Sequence, residues 1–283
     1  MKLPFALASR FVAAETLEKT LPVVAELNQD GLHVTLDLLG EYVKERSVAI
    51  DATKAYVDLL DRISKAGLNC SISIKLSMVG QKIDMSFCLD NVRQVMEAAK
   101  RHDIFVRYDM EGSDITQSTL DIFEEMYPDY PDHCGVVLQA YLHRTADDIA
   151  RMCELNARVR LCKGAYGEPA SLAYQDMDVI RAKFVGYMQQ LLTGARYPGI
   201  ATHDDKLIEA TKTFAREEGI PASDFEFQML YGLRPETQKD LVAEGYNMRV
   251  YVPYGTEWLP YYSRRLRERK ENVWFILSTL FKR

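Results

Sequence analysis

Eight times along this chain, a short run alternating apolar and polar residues gives way to a segment of helical periodicity. Strand-like runs sit near 32–39, 69–77, 104–111, 134–143, 158–164, 199–204, 225–230 and 247–253. Helical stretches follow near 48–66, 87–102, 114–126, 145–155, 170–193, 205–218 and 235–244, and a last helix runs from about 257 to 270. Eight strands, each followed by a helix, make an α/β fold of the TIM type, a (βα)8 barrel, the expected architecture. The 283 residues suit one such barrel, and no linker rich in Pro, Gly or Ser divides them. The expectation is therefore a single domain over 1–283. It has a helical lead within 1–30, centred on Leu7 to Leu27, and a helical cap over 257–283.

Alternation also says what each strand turns inward, because successive side chains point to opposite faces. Ile72, Ile74 and Leu76 share one face of the second strand, and Ser71, Ser73, Lys75 and Ser77 the other. Val106, Tyr108 and Met110 oppose Arg107, Asp109 and Glu111; Phe225, Phe227 and Met229 oppose Glu226 and Gln228; Met248, Val250 and Val252 oppose Arg249 and Tyr251. The apolar faces must meet the helices, so the polar faces line the barrel. Such interiors are usually filled by Val, Ile and Leu. This one would hold Asp37, Lys75, Arg107, Asp109, Glu111, Arg158, Arg160, Glu226 and Arg249, five cations against four anions. Near balance is what buried charges require. For the lower layers, to which Asp37, Arg107, Arg158, Glu226 and Arg249 are assigned, a register-fixing ion-pair network is explanation enough. It explains less at the C-terminal strand ends, where barrel active sites lie.

Those ends carry Lys75, Asp109, Glu111, Gln139, Tyr141, Arg160, Lys163, Tyr166, Thr202, His203, Gln228 and Tyr251. Of five histidines only His143 and His203 fall near the mouth, too few nitrogen ligands for a hydrolytic zinc site, so no metal is expected. G-x-S-x-G, G-x-G-x-x-G and Walker motifs are absent. In Lys163-Gly164-Ala165-Tyr166, small residues after the fifth strand let a ligand approach the backbone. Tyr261, Arg264 and Arg265, spaced i, i+3 and i+4 behind Pro260, share one face of the last helix. On spacing alone that face reads first as a solvated basic one, since Arg267, Arg269 and Lys270 follow.

Taken together, eight segments resemble the proline dehydrogenase family in its own order. They are Ser73-Ile74-Lys75-Leu76-Ser77, Asp109-Met110-Glu111, Gln139-Ala140-Tyr141, Arg160-Leu161-Cys162-Lys163-Gly164-Ala165-Tyr166, Ala201-Thr202-His203, Glu226-Phe227-Gln228-Met229-Leu230, Tyr251-Val252-Pro253-Tyr254-Gly255 and Tyr261-Tyr262-Ser263-Arg264-Arg265. The resemblance covers nearly the whole chain and is to the monofunctional bacterial form. It implies non-covalent FAD at the barrel mouth and oxidation of L-proline to Δ1-pyrroline-5-carboxylate. A hydride passes from proline C5 to flavin N5, and a quinone receives the electrons. By the same resemblance, Met110, Gln139, Arg160, Lys163, Gly164, Ala165, Thr202 and His203 would contact FAD. Lys75, Arg264 and Arg265 would meet the proline carboxylate, and Tyr166, Leu230, Tyr251 and Tyr261 would shape the pocket around its ring. Asp109 and Arg160 carry the catalytic roles, Arg160 as the cation beside the reduced ring. A pyrroline-5-carboxylate dehydrogenase is the implied downstream partner.

Two other enzyme readings stay open. One is a flavin barrel similar to methylenetetrahydrofolate reductase, and the other a Schiff-base aldolase using Lys75 or Lys163. A non-enzymatic anion-binding barrel is the third alternative. A net charge of −6 argues against a general nucleic-acid binder. Five cysteines without a C-x-x-C pair point to a reducing compartment, the cytoplasm. Residues 1–10 lack a signal-peptide pattern, and the ten uncharged residues Asn272 to Phe281 are too few to span a bilayer. Val273, Trp274, Leu277, Leu280 and Phe281 do form an apolar patch beside a basic run, so a peripheral place at the inner membrane face is a further expectation.

Overall fold

In a computed structural model of the chain, the described residues are Phe5 and 8–268, with side chains through 265. Eight parallel strands close into a barrel in sequence order: β1 (His33–Leu38), β2 (Cys70–Ile74), β3 (Val106–Tyr108), β4 (Cys134–Gln139), β5 (Arg158–Cys162), β6 (Gly199–Ala201), β7 (Glu226–Leu230) and β8 (Asn247–Tyr254). The seam between β1 and β8 runs from the His33–Arg249 pair to the Leu38–Tyr254 pair, without a break in register. Helix α1 (Leu17–Gln29) precedes the barrel. Between and after the strands come α2 (Arg46–Ala66), α3 (Met85–His102), α4 (Thr116–Met126), α5 (Thr145–Glu154), α6 (Met177–Gly194), α7 (Asp205–Glu217), α8 (Pro235–Ala243) and α9 (Trp258–Glu268). The (βα)8 expectation holds.

The outward strand residues Leu36, Ile72, Val106, Val136, Leu161, Phe227 and Val250 are wholly buried in one cluster against the helices. That burial is the main favourable term, at roughly 1.5–3 kcal/mol for each large apolar side chain. Three helix starts are fixed by acids: Asp84 accepts from the Phe87 N–H at 2.8 Å, Asp176 from Asp178 and Val179, and Asp204 from Lys206 at 3.1 Å. Inside, two glycines make room for the long polar side chains. A Cβ at Gly135 would stand 2.6 Å from an Arg107 guanidinium nitrogen, and one at Gly199 2.4 Å from Gln228 Nε2.

Several boundaries differ from the sequence expectation, among them the third strand, expected over 104–111 and observed over Val106–Tyr108. The second strand stops at Ile74, and Leu76–Met78 form a 3-10 turn. The helix expected from 170 begins at Met177, where Asp176 caps it. Among the described residues of the N-terminal lead, the α-helix begins at Leu17. Before it, residues 8–11 make turns, and the Ala13 N–H donates to Pro253 O at 2.9 Å while Ala14 O accepts from Gly255 N–H at 3.0 Å, so tertiary pairing at the end of β8 holds residues 13 and 14 out of a helix. Of the expected cap over 257–283, α9 is described. The apolar patch at 273–281 lies outside the described residues.

Candidate active site

Asp109 directly follows β3, held by its N–H donating to Ile74 O at 2.9 Å. One carboxylate oxygen accepts from Arg160 Nη1 at 2.9 Å, the other from the Tyr251 hydroxyl at 2.5 Å. Lys75 Nζ stands 3.8 Å from the same carboxylate and hydrogen-bonds directly to Asp37. This corrects the assignment of Asp37 to the lower layers: it stands under the mouth as the partner of Lys75. Asp37 is completely buried, and burial pushes its carboxyl up to about 6 against the opposing pull of Lys75. Burial also works against the Lys75 ammonium, but Asp37 and Asp109 more than offset it and hold the group well above its ordinary value.

Arg160 is fixed from three sides. Its Nε donates to Gln228 Oε1 at 2.5 Å, an Nη donates to Ser73 Oγ at 3.2 Å, and the guanidinium lies 5.1 Å from the Tyr251 ring centre. Gln228 in turn donates to Glu226 at 2.5 Å, and Glu226 receives Arg249 at 2.8 and 3.0 Å. Burial raises the Glu226 carboxyl, but Arg249 and Arg107 overcome this and draw it down to about 2. A continuous string of polar contacts therefore runs from Arg249 on the floor through Glu226, Gln228 and Arg160 to Asp109 at the mouth.

Around the rim, Gln139 Nε2 donates to the Glu111 carbonyl at 3.0 Å, which places Gln139 beside Met110. Ser77 Oγ donates to the Glu111 carboxylate at 2.7 Å, and burial lifts that carboxyl to about 7 despite this bond. Gly164 has φ +115°, and a Cβ there would lie 2.3 Å from the Tyr141 ring, so glycine is required on both counts. Ala165 beside it is exposed. Lys163 Nζ and Arg181 Nε converge on Asp204 at 2.5 and 2.8 Å. Burial raises the Asp204 carboxyl, but hydrogen bonds from Arg181 and Lys163 prevail and hold it near about 2. Thr202 Oγ1 accepts from the Asp204 N–H, and His203 Nε2 accepts from Leu230 N–H at 3.0 Å, which leaves the proton of the neutral ring on Nδ1.

Helix α9 closes over one side. Arg264 makes a two-point ion pair with Glu41, 3.0 Å at one contact, and lies 5.6 Å over the Tyr166 ring. Arg265 lies 5.3 Å over Tyr261, which packs with Leu39, Leu230 and the N-terminal Phe11 and Val12. The sequence-derived residues thus gather at one end, except that the Arg264 fork is turned to Glu41. Glu41, Arg181 and Asp204 went unrecognised in the sequence. Asp204 alone left a signal, an acid at the N-cap position before the 205–218 helix.

Fold and site together define a (βα)8-barrel protein with a charge-rich mouth at its C-terminal strand ends. The family model for proline dehydrogenase matches residues 20–277. Proline dehydrogenase 1 of Bacillus subtilis is 41% identical over 276 residues, covering 98% of this chain and 91% of that protein. The proline dehydrogenase of Deinococcus radiodurans is 38% identical over 280 residues, covering 98% and 90%. Among solved structures, proline utilization A (PutA) from Bdellovibrio bacteriovorus, inactivated by N-propargylglycine, superposes with a TM-score of 0.87 at 25% identity, over 93% of this chain and 33% of that one. The chain belongs to the proline dehydrogenase family and is an oxidoreductase of proline catabolism.

Proposed function

We propose that the mouth binds FAD non-covalently and that the chain oxidises L-proline to Δ1-pyrroline-5-carboxylate, with a quinone as final acceptor. The observation that carries this reading is the buried Asp109–Arg160–Tyr251 cluster with Lys75 at its edge, sited where barrel enzymes place their chemistry. The donor set suits a flavin nucleotide. Lys163 and Arg181 bring two cations to the single carboxylate of Asp204 at the start of α7, a surplus that matches a pyrophosphate beside a helix N-terminus. Gly164, Ala165, Thr202 and His203 would border it, and Met110, Gln139 and Arg160 would meet the ring system. When bound, FAD would take up the two electrons and the hydrogen lost from proline C5.

The protein's own groups do the rest. Lys75 stays protonated and so serves as a cation for the substrate carboxylate; a Schiff-base role would require its free amine. Arg264 offers a planar fork suited to a carboxylate, now occupied by Glu41, so proline would take over that contact. Arg265 would add a third cation, and Tyr166, Leu230 and Tyr261 would cover the ring and exclude water. Asp109 acts through Tyr251 and Arg160, holding the hydroxyl and the guanidinium in place. The released pyrroline-5-carboxylate would be the substrate of a pyrroline-5-carboxylate dehydrogenase. Among the described residues no helix is long and apolar enough to cross a membrane, so a lipid-dissolved quinone would be met at the interface. The test is the spectrum of the purified chain: a flavin that acid releases and that proline bleaches anaerobically. No flavin after incubation with excess FAD would defeat the proposal.

A further inference from the structure

The floor of the barrel gathers more positive charge than its carboxylate can meet. A cavity there is lined by the guanidinium groups of Arg107, Arg158, Arg160 and Arg249 and by Glu226 as the single acid. Arg160 is answered by Asp109 at 2.9 Å and Arg249 by Glu226 at 2.8 Å. Among the described residues, neither Arg107 nor Arg158 has a carboxylate. Arg107 donates to the carbonyls of Val136 and Arg158, and both guanidiniums lie over the Phe105 ring, at 4.8 and 4.3 Å. Arg107 is 3% exposed, and its Nε, like that of Arg158, is buried without a hydrogen-bond partner. Gly135 keeps the space open, since a side chain there would strike the Arg107 fork.

We propose that this floor cavity is a binding site for a halide-sized inorganic anion, held between Arg107, Arg158 and Arg249. The cavity has room for a water-sized body, and a monatomic anion is the charged particle nearest that size. A water would satisfy the orphaned N–H groups and leave the charge uncompensated; a monatomic anion does both. With the floor as described, burial and the nearby Arg160 and Arg158 hold the Arg107 guanidinium well below its ordinary value, a strain that a bound anion relieves. His33 neither adds to nor offsets this charge, because it accepts from Arg249 and both burial and that arginine favour its neutral form. Arg158 and Arg249 are only partly buried, which gives the ion a way in from the N-terminal rim.

Two measurements on the full chain decide the matter. Crystals grown in sodium bromide should show an anomalous peak between Arg107, Arg158 and Arg249. Stability in chloride, compared with gluconate at equal ionic strength, should rise and follow a one-site curve, shifting the folding equilibrium about tenfold at ten times the Kd. That rise should vanish in Arg158→Gln, with the spectrum of any bound flavin unchanged. An ordered floor without anomalous signal, or equal stability in the two salts, overturns the proposal. If Arg158→Gln does not fold, the bromide peak in the natural sequence still decides.

Discussion

Asp109 satisfies two buried donors with one side chain, so its removal strands both. Asp109→Ala leaves the Arg160 guanidinium buried without its carboxylate, a loss of the kind that costs about 3–5 kcal/mol. Urea unfolding should show that drop, and proline oxidation should fall with it; an unchanged midpoint would mean that Arg160 finds another partner. Glu111 makes a pH prediction. Its carboxyl sits at about 7 in the folded chain against 4.5 for the ordinary group. The native state therefore favours the protonated form. The stabilisation is complete below about 4.5, fades as pH rises, and is gone above about 7. The span is worth roughly 3 kcal/mol. Glu111→Gln should flatten the decline of stability between pH 4.5 and 7, and a variant with the same slope as the natural sequence would refute the assignment.

Between strand and helix, fit depends on what each element leaves out. A methyl group at Gly199 on β6 would collide with Gln228 Nε2, and Gln228 is tied at both ends, to Glu226 and to Arg160. Gly199→Ala should cost about 1–3 kcal/mol as overpacking and lower turnover through the displaced Arg160. Retained turnover would show that Gln228 swings aside freely. On α9, Arg264→Met should raise the KM for proline about 10–150-fold, since hydrogen bonds to a charged group contribute ~1.5–3 kcal/mol each, while flavin content stays constant. A KM left as it was would return that arginine to a purely structural role with Glu41. Strand identity was open to reading because alternation separates the face that meets the helices from the face that lines the barrel, as Ile72 and Ile74 against Ser73 and Lys75 illustrate. Glu41 was not, because it sits in a connection without periodicity, and only the path of α9 brings Arg264 to it. Asp37 was misassigned for a related reason: alternation gives the face, but height in a sheared barrel comes from the register between strands.

At the scale of the whole molecule, the barrel core and the cover of its mouth are separate apolar units. Phe11, Leu39, Trp258, Tyr261 and Tyr262 form their own cluster apart from the core beneath the strands. Phe11→Ala should therefore loosen α9 locally: Trp258, 6% exposed, should shift its emission to the red and the KM for proline should rise, while the denaturation midpoint of the barrel moves little. A global loss of about 3–5 kcal/mol, as for a core phenylalanine, would show that cover and barrel unfold as one. The string from Arg249 to Asp109 has the opposite effect. Barrel proteins ordinarily divide their labour, so that one end can drift under selection for stability while the other is free to explore chemistry. Here a substitution at Glu226 is felt at Arg160 through a single glutamine, so the two ends share one mutational fate. Variants selected for sturdier floors should repeatedly turn out to be altered in turnover, and the sequence space open to this barrel is narrower than its architecture would allow.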